Sequence, residues 1–159
     1  MEIVKALVLS DTHLPSRAQR LPEPVLAALG EADLILHAGD LATAAVLDEL
    51  RQYAPVTSVY GNVDDEEVRR TLPRRTIVDV GAFRVGLVHG HGATGTTLER
   101  ATAAFANDAV DCVVFGHSHR PLCERRNGRL FLNPGSPTDL RTQPKRSFAW
   151  LCAGDSLDA

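Results

Sequence analysis

Closely spaced histidines are the most chemically informative feature of the sequence. His117 and His119 are separated by one residue and follow Gly116 and the predicted strand 111–115. A second pair with the same spacing follows an earlier apolar run: His89 and His91. Because neutral imidazole is among the commonest metal ligands in proteins, paired histidines at the ends of predicted strands indicate a metal site.

Polar residues follow five apolar runs of the sequence in the same way. Each run ends in a short group of Asp, Asn or His with a glycine nearby. In α/β sheets the carboxyl ends of the strands form the ligand crevice, so these groups are predicted to converge at one edge. Their candidate ligands are Asp11, His13, Asp40, Asn62, His89, His117 and His119, with His91 as a further histidine.

The number of these ligands predicts how many ions they bind. Five of the six histidines lie in the groups, and the exception, His37, is interpreted as an ordinary, satisfied polar residue. Mutual repulsion and desolvation of the clustered histidines and acidic residues would cost on the order of a few kcal/mol unless a cation compensates. Imidazole and carboxylate favour Mn, Fe, Zn or Ni over Ca or Mg. Seven ligands fit two ions that share Asp40, whereas a mononuclear zinc site is the alternative.

The spacing within the motifs predicts how the side chains are presented. In an extended Asp11-x-His13 segment both side chains point to the same side of the backbone. The same interpretation applies to His117-x-His119, in which each histidine is expected to bind one ion of the pair.

Apolar runs and turn signals predict the elements that position these residues. Predicted strands lie at 3–9, 32–37, 56–60, 76–80, 83–88, 111–115, 122–125, 129–132 and 147–152. Predicted helices lie at 22–29, 43–53, 65–70 and 96–107. Strands and helices alternate in the first half, hairpins dominate the second, and Asn127-Gly128 is a strong hairpin turn. The order predicts two packed sheets with helices outside, in three or four layers.

Composition narrows the class of protein. The 159 residues, 44% of them hydrophobic, predict one domain spanning 1–159. A formal net charge of −3 argues against a nucleic-acid polymer as partner. No apolar run approaches the roughly 20 residues of a membrane span, and Glu2 and Lys5 interrupt any signal-peptide pattern. Three distant cysteines without a Cys-x-x-Cys motif favour a reducing, cytoplasmic location.

Five motifs in this order resemble those of the calcineurin-like metallophosphoesterases. They are Asp11-x-His13, Gly39-Asp40, Gly61-Asn62, His89-Gly90-His91 and Gly116-His117-x-His119. The short chain and the stretch Asn133-Pro134-Gly135-Ser136 are similar to the small bacterial and archaeal phosphodiesterase branch. The resemblance implies a four-layer α/β/β/α sandwich of two mixed β-sheets flanked by helices. It assigns Asp11, His13, Asp40 and His119 to one ion, and Asp40, Asn62, His89 and His117 to the other.

The implied activity is phosphoester hydrolysis dependent on two divalent metal ions, for which Mn²⁺ is expected. A hydroxide bridging the ions would attack phosphorus in line with the leaving oxygen of a small phosphodiester. Asn62, with His91 and Arg141, would contact the phosphate oxygens. The sequence does not determine the oligomeric state, and apolar residues on the hairpins are compatible with a homo-oligomer. The alternative function is a non-catalytic protein-interaction scaffold, because a retromer subunit resembling this branch works as one.

One position departs from the family pattern. Most members carry Gly-Asn-His-Glu, whose histidine protonates the leaving group, but this sequence reads Gly61-Asn62-Val63-Asp64. Either another group serves as the proton donor, with His91 as the first candidate and Asp64 as the second, or the substrate has a good leaving group. His91 is alternatively a hydrogen-bond partner of the metal ligands. The loop 133–138 is either a structural turn or an edge of the substrate site.

Overall fold

A computed structural model describes residues 2–159, which form ten strands and four helices. The strands are β1 Val4–Leu9, β2 Leu34–His37, β3 Val56–Ser58, β4 Arg75–Val80, β5 Phe83–Val88, β6 Cys112–Val114, β7 Leu122–Arg126, β8 Arg129–Asn133, β9 Ala149–Ala153 and β10 Leu157–Asp158. The helices are α1 Glu23–Leu29, α2 Ala44–Arg51, α3 Glu66–Thr71 and α4 Thr97–Ala104. None of these helices is long and apolar enough to cross a bilayer.

The strands form two mixed sheets of five strands each. The first has the order β10-β9-β1-β2-β3, and the second has the order β4-β5-β6-β8-β7. In the first sheet β1, β2 and β3 are parallel, β9 pairs antiparallel with β1, and β10 pairs antiparallel with β9. In the second sheet β5, β6 and β8 are parallel, and each edge is a hairpin. The parallel strands of each sheet end on the same edge, where the predicted polar groups follow them.

The two sheets pack face to face because successive side chains of a strand point to opposite faces. Ala6 and Val8 of β1 face the second sheet and lie in one buried cluster with Leu87 and Val114. Leu7 of β1 points to the other side of its sheet, where it packs against the helices. Each central strand is therefore buried on both faces, which explains its continuous run of apolar residues.

Helices cover both outer faces and complete four layers. Val25 of α1, Leu47 of α2 and Val68 of α3 pack on the first sheet. Ala101 of α4 packs on the second sheet together with Phe105, which ends this helix. The α/β fold of two mixed sheets flanked by helices is confirmed, and the layer order is α/β/β/α.

The predicted elements differ from the observed ones mainly at their ends. The run 56–60 is a strand only as far as Ser58, because the following residues turn towards the polar edge. The short strand β10 was not predicted and pairs with β9. The hairpin turn at Asn127-Gly128 is confirmed, with φ values of 51° and 79°, as the mirror-image turns of hairpins require.

Candidate metal centre

The polar groups after β1, β2, β3, β5 and β6 meet at the carboxyl edge of the two sheets. Backbone hydrogen bonds join the loops to one another: the Asp11 N–H donates to the Gly39 carbonyl at 2.9 Å, and the His13 N–H donates to the Asp40 carbonyl at 3.1 Å. The Gly116 N–H donates to the His89 carbonyl at 3.0 Å. The side chains of these loops are thus held against each other by the main chain.

Three side chains form a first cluster of candidate ligands, Asp11, His13 and His119. One donor atom of each lies within 4.8 Å of the others, and all three residues are buried. The Nε2 atoms of His13 and His119 are 3.2 Å apart. Oδ1 of Asp11 lies 3.4 Å from Nε2 of His119 and 3.8 Å from Nε2 of His13.

A second cluster contains Asp40, His89 and His117, whose donor atoms also lie within 4.8 Å of one another. Oδ2 of Asp40 is 3.0 Å from Nε2 of His89. Oδ1 of Asn62 is 3.1 Å from Nε2 of His89 and 3.1 Å from Nδ1 of His117. Oδ2 of Asp40 is also 3.8 Å from Nε2 of His13, so this carboxylate lies between the clusters.

Each carboxylate has one oxygen bonded to the protein and one turned towards histidine nitrogens. Oδ2 of Asp11 accepts from the Ser10 hydroxyl at 2.7 Å and from the His117 N–H at 3.0 Å. Oδ1 of Asp11 is buried and has no hydrogen-bond partner. Oδ1 of Asp40 accepts from the Val63 N–H at 2.9 Å, which leaves Oδ2 as the oxygen that faces both clusters. A buried carboxylate oxygen without a donor is costly, and a cation would satisfy it.

The histidine tautomers point to the same conclusion. Nδ1 of His119 donates to the Asp139 carbonyl at 3.0 Å, and Nδ1 of His89 donates to the Ala38 carbonyl at 2.7 Å. Each neutral ring therefore presents a lone pair at Nε2 to the facing oxygens and nitrogens. Backbone carbonyls that fix the tautomer in this way are typical of metal-binding histidines. The Nε2 lone pairs of the neutral rings point at electron-rich atoms with no proton between them, an arrangement that a divalent cation would stabilise.

The protonation of the site follows from burial and from the facing charges. Burial alone would raise the pKa of Asp11, but the imidazoles of His119 and His13 hold it well below its ordinary value. Burial disfavours the charged form of His89, yet the carboxylates of Asp11 and Asp40 raise the pKa of His89. The carboxylates are therefore ionised at neutral pH and need positive charge beside them, which the histidines supply only when protonated.

The backbone at these ligands is left-handed. The φ values are 55° at Asp11, 46° at His13, 57° at Asp40, 69° at His117 and 59° at His119. The interpretation of the Asp-x-His and His-x-His segments as extended dipeptides is therefore wrong. Each such residue costs about 1–2 kcal/mol relative to right-handed or extended backbone, and such strain concentrates at functional sites because the surrounding structure enforces it.

Two glycines are required by close approach at the site. A Cβ on Gly61 would lie 2.0 Å from Oδ1 of Asp40. A Cβ on Gly116 would lie 1.9 Å from the Ser10 hydroxyl oxygen and 2.7 Å from Oδ2 of Asp11. All three distances are below van der Waals contact, so only glycine lets these loops pass the carboxylates.

His91 lies beside the second cluster. Its ring centroid is 5.5 Å from that of His89 and 6.5 Å from that of His117. Its Nδ1 is buried without a hydrogen-bond partner. Burial, together with the charges of His89 and Arg74, lowers the pKa of His91 to about 4, so the ring is neutral at pH 7.

Arg141 lies at the edge of the site, whereas Asp64 lies inside the protein. The Arg141 guanidinium donates to the His117 carbonyl at 3.3 Å, so it lies at the rim of the second cluster and is exposed. Asp64 is buried, and both of its carboxylate oxygens accept backbone N–H bonds. The prediction of Asp64 as the second candidate proton donor is therefore wrong, because both of its carboxylate oxygens face backbone N–H groups.

The loop 133–138 supports the ligand loops from behind. The Ser136 hydroxyl donates to the Asp11 carbonyl at 2.7 Å, and the Thr138 hydroxyl donates to the Thr12 carbonyl at 2.7 Å. The Asn133 amide donates to the Gly116 carbonyl at 3.0 Å. All three side chains are buried. These contacts support the structural interpretation of the loop, and its role as an edge of the substrate site stays a prediction.

His37 joins the first two ligand loops, a role that the sequence did not reveal. Its Nδ1 accepts from the Gly39 N–H at 3.1 Å, so Nε2 carries the proton and donates to the Thr12 hydroxyl at 3.1 Å. Burial lowers the pKa of His37 to about 3. The expectation of a satisfied polar histidine is confirmed. The only sequence signal for its place between two ligand loops is that it stands three residues before Asp40.

Comparison with known proteins identifies the family. The model of the calcineurin-like phosphoesterase superfamily domain matches residues 4–155. A probable metallophosphoesterase of Methanothermobacter thermautotrophicus is 38% identical over 152 residues, which cover 96% of this chain and 88% of that protein. A probable metallophosphoesterase of Methanocaldococcus jannaschii is 36% identical over 154 residues, covering 96% of this chain and 77% of that protein.

Solved structures of a second group of proteins share the fold. Vacuolar protein sorting 29 (Vps29) of Cryptosporidium parvum superimposes with a TM-score of 0.79 at 26% identity, over 95% of this chain and 86% of that one. The zinc complex of Vps29 from Entamoeba histolytica has a TM-score of 0.78 at 30% identity, over 93% of this chain and 85% of that one. With the family model and both archaeal relatives covering nearly all of its length, this chain belongs to the calcineurin-like phosphoesterase superfamily.

Proposed function

We propose that the protein is a phosphodiesterase that depends on two divalent metal ions. Membership of a phosphoesterase family and two candidate metal-ligand clusters support phosphoester hydrolysis. The observation that carries the two-ion proposal is the position of Asp40, whose Oδ2 lies 3.0 Å from Nε2 of His89 and 3.8 Å from Nε2 of His13. One carboxylate oxygen thus faces ligands of both clusters.

The residues fit the cations in two sets. Asp11, His13 and His119 would hold one ion, Asn62, His89 and His117 would hold the other, and Asp40 would contribute to both. When bound, such a pair lowers the pKa of a water towards neutrality and stabilises negative charge on the phosphoryl group. The mixture of imidazole and carboxylate favours Mn²⁺, with Fe, Zn and Ni as alternatives.

The other roles of the side chains follow from charge and position. Asn62 contributes a neutral amide oxygen, so it holds a cation without cancelling positive charge that a phosphate needs. His91 is neutral and lies beside the second cluster, which suits a hydrogen-bond donor to a phosphate oxygen. We assign His91 to substrate binding and charge stabilisation in preference to proton donation.

A diester substrate fits the surroundings of the site. Three guanidiniums donate to backbone carbonyls of the ligand loops: Arg69 to that of Asn62, Arg100 to that of Gly90 and Arg141 to that of His117. Val63 is 51% exposed beside Asn62, so the site opens to solvent where a second ester group would extend. This opening favours a small phosphodiester over a phosphomonoester as the proposed substrate.

Hydrolysis of bis(p-nitrophenyl) phosphate tests the proposal. Metal-free protein should be inactive, Mn²⁺ should restore turnover, and Asp40→Ala and His117→Ala should each lower kcat/KM by about 10²-fold or more, as expected when charge stabilisation at a reaction centre is removed. Asp155→Ala removes an exposed carboxylate far from these clusters in sequence and should leave turnover unchanged. Turnover without metal, or undiminished turnover in both site variants, contradicts the proposal.

A protein-interaction scaffold is the second candidate function, because the fold superimposes on Vps29 with TM-scores of 0.78 and 0.79. It predicts metal binding without hydrolysis of any diester or monoester under Mn²⁺, Zn²⁺, Ni²⁺ or Fe²⁺. Elemental analysis separates the remaining alternative, since a mononuclear zinc hydrolase binds one metal ion per chain. In the two-ion proposal, His119→Ala and His89→Ala each lose one equivalent.

A further inference from the structure

The carboxylate of Asp64 is enclosed by backbone N–H groups of two ligand loops. Its Oδ2 accepts from the Asp40 N–H at 2.9 Å and from the Gly61 N–H at 2.7 Å. Its Oδ1 accepts from the Ala42 N–H at 2.8 Å. The residue is only 4% exposed. Asp64, in the loop after β3, is therefore bonded to the loop after β2 at two points and to its own loop at a third.

The connection between the two loops is reciprocal. Asp64 accepts the N–H of Asp40, and Asp40 in turn accepts the N–H of Val63 on its Oδ1. This second bond decides which oxygen of Asp40 remains for the ligand clusters, namely Oδ2. The first bond fixes the Asp40 backbone from which that oxygen is presented. The two aspartates thus hold each other through the main chain of the opposite loop.

The held backbone is in a conformation that it would otherwise avoid. Asp40 has a φ of 57° and Ala42 a φ of 90°, both in the left-handed region. An ionised carboxylate is a strong acceptor, and its bonds to backbone N–H groups are shorter and stronger than neutral ones. Hydrogen bonds from both residues to one buried carboxylate offset the strain. Loss of this acceptor would release Asp40 towards relaxed backbone angles.

We propose that Asp64 is the positioning residue that presents Asp40 and Asn62 to the same cation. The inference rests on the proposed metal centre. Gly61 immediately precedes Asn62, so the carboxylate that fixes the Gly61 N–H also fixes where the Asn62 side chain starts. Asp64 touches neither substrate nor metal and acts only through these two loops. Its effect falls on the cluster of Asp40, Asn62, His89 and His117.

Mn²⁺ binding to Asp64→Asn, followed by isothermal titration calorimetry, tests the role. The Asn side chain has one acceptor oxygen instead of two, so at least one of the three backbone N–H groups loses its partner. We expect one of the two equivalents to bind about 10–100-fold more weakly, the range seen when groups that orient metal ligands are removed. The other equivalent shares only Asp40 with this one and should lose less affinity, and the Mn²⁺–Mn²⁺ coupling in electron paramagnetic resonance spectra should weaken.

The neighbouring residue provides a matched control. Asp65 is the N-cap of α3, and its side chain accepts from the Val68 N–H at 2.9 Å. Asn serves as well as Asp at an N-cap, so Asp65→Asn makes the same chemical change one residue away. It should bind both equivalents with unchanged affinity. A further check is Asn62→Ala, which should weaken the same equivalent as Asp64→Asn, with a combined effect smaller than the product of the two.

The outcomes separate this inference from the proposed function. Wild-type affinity for both equivalents in Asp64→Asn overturns the positioning role, and so does an equal loss in Asp65→Asn. If Asp64→Asn shows no cooperative melting transition, Asp64→Glu replaces it, because this variant keeps the charge and displaces the oxygens by one methylene. The same selective loss is expected there, and its absence counts against the role. Wild-type protein that binds two Mn²⁺ but hydrolyses nothing would overturn the proposed function alone.

Discussion

The Nε2 atoms of His13 and His119 lie 3.2 Å apart, although the two residues are separated by 106 positions in the chain. Nδ1 of His119 donates to the Asp139 carbonyl, so its Nε2 carries a lone pair in the neutral ring. Beside both nitrogens is Oδ1 of Asp11, which is buried and has no hydrogen-bond donor. Three electron-rich atoms therefore converge on one point, where a proton or a metal cation lowers the energy.

Metal removal should destabilise the folded protein for this reason. A ligand that binds only the native state stabilises it by about 4 kcal/mol at a concentration of 1,000 times its Kd. We expect the melting temperature of metal-free protein to rise on addition of Mn²⁺ or Zn²⁺. Mg²⁺, which prefers oxygen ligands, should have a much smaller effect. Identical melting curves with and without Mn²⁺ would contradict the metal centre, and His119→Ala should reduce the shift.

The free energy of unfolding should decrease as the pH is lowered, because His37 is buried in its neutral form. Burial lowers the pKa of His37 to about 3 from its ordinary value of 6.5. Below pH 6.5 the unfolded chain binds a proton at this ring and the folded protein does not. The resulting stability is present above pH 6.5 and is lost as the pH falls towards 3, at about 1.4 kcal/mol per pH unit.

Urea unfolding of metal-free protein between pH 7 and pH 4 measures this effect. His37→Asn keeps an acceptor for the Gly39 N–H but does not titrate, so its free energy of unfolding should decline less steeply as the pH falls. The difference in slope between the two proteins isolates His37 from the other histidines. Parallel slopes would show that His37 contributes nothing to the pH dependence.

A methyl group at position 116 should disrupt the first cluster. In Gly116→Ala the new Cβ would lie 1.9 Å from the Ser10 hydroxyl oxygen, so Ser10 and the Asp11 carboxylate must move. We expect a loss of about 1–3 kcal/mol in the free energy of unfolding, as for other overpacked sites, and weaker binding of one metal equivalent. Gly154→Ala is the control, because its Cβ would make only an ordinary 3.4 Å contact with Ile3. Unchanged metal binding in Gly116→Ala would contradict the packing described.

The role of His91 can be tested with two leaving groups. If His91 donates a hydrogen bond to a phosphate oxygen, His91→Ala should lower kcat/KM by a similar factor, about 10²-fold or more, for a p-nitrophenyl diester and for an alkyl diester. A proton donor would give a different result, because only the poor alkoxide leaving group needs protonation. A loss confined to the alkyl substrate would assign His91 to general-acid catalysis instead.

Much of the fold was predictable because its signals are local. Central strands such as β1 and β6 are short apolar runs, and burial on both faces requires such runs wherever helices cover a sheet. Turn chemistry fixed the hairpin at Asn127-Gly128, whose backbone must be left-handed. The short β10 escaped prediction because two residues carry no periodicity and pair only through their contact with β9.

The sequence by itself determined which residue types stand at the ends of the strands, and hence that imidazoles and carboxylates gather at one edge of the sheets. Only the tertiary structure decided which histidine faces which carboxylate, because those distances depend on how two sheets stack. It also turned Asp64 from a candidate proton donor into a backbone acceptor, and made the loop 133–138 a support for Asp11. These roles are hydrogen bonds to main-chain groups distant in sequence, and no spacing of residue types specifies a partner of that kind.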